Sequence, residues 1–142
     1  MKDYEREICS EQAFTTAAVS ENTWDVDAAD ENLGNAVIYA HLRVNVSFTG
    51  AASGVRIHVV DSAAEALTGD RAISTFTSTA CSDDAVIPAT DLTAGTHLIV
   101  ALPPGIKNKQ YLGLAVVPVS EALATGNITA WFSEVAGEVD LQ

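Results

Sequence analysis

Long apolar runs are missing from this chain of 142 residues. No unbroken stretch approaches the roughly 20 apolar residues that a membrane-spanning helix needs, so a helical anchor is excluded. Basic residues are scarce: 7 Lys and Arg stand against 19 Asp and Glu, for a formal net charge of −12. Binding to nucleic acid needs clustered Lys and Arg to neutralise phosphates, so that class of partner is excluded as well. Cysteine is reduced to Cys9 and Cys81, far apart and without a CxxC. A disulfide framework has no support in that spacing, and two inert thiols are expected. The polar start, residues 1–7, lacks the basic-then-apolar order of an export signal. We therefore expect a chain made in a cytoplasm.

Catalytic signatures are also missing. The chain has no Gly-x-Ser-x-Gly, no Cys–His pair at a recognisable spacing, and no glycine-rich loop opening a helix. Its acids cluster in turns and tails, which gives a two-carboxylate glycosidase little to stand on. Aromatics make up only 6% of residues. Trp24, Tyr39, Tyr111, Trp131 and Phe132 could form a sugar-stacking platform, but they are dispersed, and core or subunit contact is the default reading.

What the chain does have is alternation. From residue 36 to residue 48, Ala36, Ile38, Ala40, Leu42, Val44, Val46 and Phe48 fall on one side. Val37, Tyr39, His41, Arg43, Asn45 and Ser47 fall on the other. Strand side chains point to opposite faces with period two, so this is one long strand buried on one face. The pattern resumes over 55–60. Short extended pieces are expected over 12–16 and 22–27 and further strands over 71–79, 96–102, 111–119 and 128–135, with turns at 30–35, 49–54, 103–105 and 124–127. Pro118, near the end of one strand, argues for an edge or a bulge there. Such short strands separated by Gly, Pro and Asp predict an all-β fold, an antiparallel sandwich of about eight strands with Greek-key or jelly-roll wiring. Charge divides the chain in another way. Asp3, Glu5, Glu7, Glu11, Glu21, Asp25, Asp27, Asp30 and Glu31 crowd the first 35 residues against only Lys2 and Arg6. The expected organisation is an acidic N-terminal arm over 1–27, solvated or docked on a basic partner, and one β-sandwich domain over 28–142.

Two constellations merit weighing as ion sites. His41, His58 and His97 each lie mid-strand, and three convergent imidazoles would suit zinc. Their registers place them away from the buried face, so exposed strand histidines are the default reading. Asp25-x-Asp27-x-x-Asp30-Glu31 offers oxygens to calcium, yet Ala29 and Asp30 stand where an EF-hand needs a ligand and a glycine. A solvated turn is expected instead. No metal, no cofactor and no catalytic residue is assigned.

The order of segments carries a resemblance. Residues 10–20 read SEQAFTTAAVS and residues 22–26 read NTWDV; residues 102–107 read LPPGIK, ahead of a strand opening with Tyr111 and Leu112. Residues 126–130 read GNITA, and the chain closes with Asp140, Leu141 and Gln142. Over residues 10–142 this resembles the capsid cement, or decoration, proteins of short-tailed bacteriophages. It departs from them in its acidic leader and in the stretch 134–140. The resemblance implies a non-enzymatic jelly roll that self-associates, sits on the outside of the virion head and bridges neighbouring major capsid subunits. A homodimer is the expected assembly, being the commonest closed symmetry; a homotrimer at a local three-fold is the alternative. Phe14, Trp24 and Val26 are large apolar residues in a polar, acidic leader, and they are the expected subunit or capsid contacts. A carbohydrate- or receptor-binding sandwich is the rival function, and a cupin-like metalloenzyme ranks third.

Overall fold

A computed structural model describes residues 7–25, 38–50, 54–64, 66–67, 71–78, 81, 85–102 and 111–133. Their strands are β1 (Glu7–Ala13), β2 (Ala18–Val19), β3 (Trp24–Asp25), β4 (Tyr39–Gly50), β5 (Gly54–Ser62), β6 (Arg71–Thr75), β7 (His97–Ala101), β8 (Tyr111–Val119) and β9 (Leu123–Ser133). A single 3-10 turn, Ala89–Asp91, is the one helical element among the described residues. One sheet, called A here, has the order β1-β9-β4-β7; the other, sheet B, has the order β2-β8-β5-β6, with β3 also on β8. All the strand pairs are antiparallel. β2 meets Val116 and Ala115 whereas β3 meets Leu112 and Tyr111, so the two act as one interrupted strand along β8. Counted that way, the topology is an eight-stranded jelly roll in which the chain crosses between sheets at every connection except β5 to β6.

The inward-facing alternation makes the core. Ala40, Leu42, Val44 and Phe48 of β4 pack with Val55, Ile57 and Val59 of β5. Leu112, Leu114 and Val116 of β8 join them, as do Ile128, Ala130 and Phe132 of β9. Val46 departs from the predicted pattern. The register slips between Val44 and Val46 against β9, and Val46 is 44% exposed. A bulge turns that side chain outward while Phe48 still reaches the core.

The leader also differs from an arm. Its described part, residues 7–25, supplies strands to both sheets. Gln12 Nε2 donates to the Val19 carbonyl at 3.0 Å, and the Glu21 amide donates to Gln12 Oε1 at 2.7 Å. These bonds fold the segment back on itself between the two sheets. The turn expected at 124–127 lies inside β9, which starts at Leu123. Gly126 makes this possible, for a Cβ there would meet the Phe48 ring at 2.8 Å. The chain reverses earlier instead, next to Ser120, whose φ is +78°. Pro118 sits where β2 has ended and only β5 flanks β8, so the missing amide hydrogen breaks no ladder on that side.

Candidate functional site

Sheet A carries an unusual cluster on the face turned away from the sandwich interior. Register sets His41 of β4 beside Trp131 of β9 and beside Ile99 of β7; two residues further along, Arg43 faces Thr129 and His97. His41 Nδ1 and His97 Nε2 are 3.0 Å apart, a hydrogen bond whose donor depends on the tautomers. The His41 ring lies parallel to the Trp131 indole, centroids 5.2 Å apart at 6°. His97 stands 5.6 Å from the same indole at 30°. Although it points away from the core, His41 is fully buried, and Trp131 is 1% exposed. This corrects the expectation of exposed strand histidines: a neighbouring strand and a stacked indole remove His41 from water. On the far side of Trp131, β1 brings Glu7 into register.

His58 is on the other sheet, where its Nδ1 pairs with Thr75 Oγ1 at 2.9 Å. The three histidines therefore do not converge. Among the described residues no group of three His, Cys, Asp or Glu could hold a metal ion. The acidic turn over 27–31 lies outside the described residues. Cys9 and Cys81 are both free thiols. Cys9 is buried between the sheets, and its pKa is pushed up to about 12 by that burial. A backbone hydrogen bond at Ala130 works against the rise, and the charges of Glu21 and Glu7 add to it.

The expected contact residues take different places. Phe14 is fully buried and Trp24 is 3% exposed, and both belong to the core. Trp24 packs against Phe132 with ring centroids 5.3 Å apart. Neither has apolar surface left to offer a neighbour, so the expectation that they reach another subunit is corrected: the leader's large apolar residues close its own sandwich. Val26 lies outside the described residues. The same burial affects the sugar platform, because Trp24, Trp131 and Phe132 are all buried. Tyr39 and Tyr111 stand on different sheets.

Surface is offered elsewhere. Among the described residues, Val46 and Ile99 on sheet A and Val117 on sheet B are the large apolar side chains left exposed. A shallow open depression of about 260 Å³, lined by Thr16, Ala17, Pro118, Ser120, Glu121 and Ala122, lies at one end of the sandwich. Among the described residues, Glu121 is the one ionisable group in its lining. Single polar chains do structural work. Thr129 Oγ1 accepts from Asn45 Nδ2 at 2.7 Å and from the Glu11 amide at 3.0 Å, tying β1, β4 and β9 together. The histidine pair was out of reach of sequence reasoning: its members are 56 residues apart, and only strand pairing joins them.

No curated protein matches this chain. The family model named Bbp16 covers residues 8–135, from the first strand to just past the last, and this match is consistent with a bacteriophage protein. On that coverage, the chain belongs to the Bbp16 family.

Proposed function

We propose that this chain is a structural virion protein, a capsid cement or decoration protein. It binds the outside of a phage head and bridges major capsid subunits. The observation that carries this reading is the jelly-roll strand order, in a chain whose turns and strands follow one another as in the cement proteins that the sequence resembles. Membership of the Bbp16 family supports the phage setting. The chemistry of the surface supports it further. Cement needs a rigid scaffold, solubility at high copy number and contact patches. A charge of −12 also keeps an exterior protein off packaged DNA. Exposed Ile99, Val46 and Val117 are available apolar area, and burying it contributes roughly 25 cal/mol per Å² before the costs of association. The partners in this reading are a second copy of the chain and the major capsid protein; no cofactor takes part.

Heads of the parent phage assembled without this protein provide the test. Purified protein should co-sediment with them at a saturating copy number fixed by lattice symmetry, and should raise the temperature at which they rupture. Failure to co-sediment, combined with hits on a glycan array, would replace this reading with the receptor-binding one.

A further inference from the structure

We propose that His41 and His97 act as a one-proton latch on β7: the pair accepts a single proton while sheet A stays closed, and a second proton, taken up in acid, breaks their contact and loosens that edge strand. The geometry allows nothing else between the two rings. With Nδ1 of His41 and Nε2 of His97 3.0 Å apart, one hydrogen fits between them, donated by one nitrogen and accepted by the other. A neutral pair satisfies this arrangement, and so does a singly protonated one. In the doubly protonated pair both facing nitrogens carry hydrogen, so the bond becomes a contact between two like charges. His41 is fully buried and His97 half-buried, so water screens the two charges only from the His97 side. The indole lies against both rings, and of the two it is His97, half-buried on the outermost strand, that has room to move away.

The 3.0 Å contact itself sets the limit at one proton, and the charges on the described strands around it act in the same sense. On β4, Arg43 shares this face and pairs in register with His97, adding a positive charge; Tyr39 stands on the same strand. On β1, Glu7 stands across Trp131 in register and can balance one imidazolium but not two. β9 brings no ionisable side chain, and β7 brings none besides His97. β7 is the outermost strand of sheet A, paired only with β4 among the described strands. Ser74 Oγ of β6 also donates to the Ala101 carbonyl at 3.0 Å. Loss of the His41 contact therefore acts on an edge strand of the sheet. The sign follows from linkage. Unfolded histidine binds its proton near pH 6.5, and the folded pair resists the second one. Stability is fully present above that pH and is lost as pH falls below about 6.5 toward the depressed folded value.

This inference does not rest on the cement reading, and its test needs no capsid. In the His58→Gln protein only the two paired imidazoles remain. Their ring protons, followed by NMR from pH 8 to pH 4, should titrate about tenfold or more apart in proton affinity. Amide protection in β7, corrected for intrinsic exchange, should fall with the lower step while β5 and β8 keep theirs. His97→Gln can still hydrogen-bond His41 but gains no proton, so β7 protection in that variant should be flat with pH. Two histidines titrating together, β7 protection unchanged down to pH 4.5, or a His97→Gln protein with the full acid loss would each overturn the latch. If His97→Gln does not fold, the titration of the protein that retains both histidines decides alone.

Discussion

Cys9 shows how far one residue's chemistry is set by its position. Burial holds its thiol protonated up to about pH 12, and a thiolate is the reactive form. Cys81 is only half-buried. A thiol reagent at pH 8 should therefore label Cys81 in the native protein and reach Cys9 only after denaturation. Rapid labelling of both in the native state would contradict the burial. The same shift makes a statement about stability. In the unfolded chain the thiol ionises near its ordinary value of 9.0, whereas in the folded chain it does so near 12. The folded state thus keeps a proton that the unfolded state releases, and stability must fall as pH rises from 9 to 12. The slope from this group is about 1.4 kcal/mol per pH unit. Urea midpoints should lose that component in Cys9→Ala, whatever the variant's stability at pH 8.

Elements are held together by polar side chains as well as by ladders, and Thr129 is the sharpest case. It is 3% exposed and takes hydrogen bonds from two other strands. Thr129→Val keeps the shape and removes the acceptor, stranding the Asn45 and Glu11 donors. A loss of about 1–3 kcal/mol is expected, read as a lower urea midpoint and faster exchange of the Glu11 amide. No change would mean that the two bonds to Thr129 add nothing to the hold on β1. Strands were legible in the sequence wherever alternation ran unbroken, as in Leu112, Leu114 and Val116. The bulge that turns Val46 outward was not, because Asn45-Val46-Ser47 continues the alternation and only the partner strand reveals the slip. The segment over 124–127 misled for a related reason. Its small residues are typical of turns, and here they serve a bulged strand pressed on Phe48. The histidine latch was hidden by the same limit, since periodicity gives a residue's face but not its neighbour on the next strand.

At the scale of the whole molecule, the leader changes its meaning. Its acids suggested a solvated arm, yet Ile8, Cys9, Phe14 and Trp24 are core. Pairing with β9 and β8 joins chain positions a hundred residues apart, and no local pattern shows that. A chain starting at residue 26 should therefore fail to fold, rather than fold and lose a contact. Losing Phe14 and Trp24 alone removes about 3–5 kcal/mol each, comparable to the whole stability of a domain. Circular dichroism should find no cooperative melt, and a sharp native-like transition would refute this placement. The functional proposal rests on the same scale: a closed two-sheet block with apolar residues left exposed on both sheets. An electron cryomicroscopy map of the parent particle tests it most directly. The jelly roll should appear in density on the head exterior, in contact with at least two neighbouring capsid subunits. A bare head surface, with this chain found at the tail tip instead, would contradict the account.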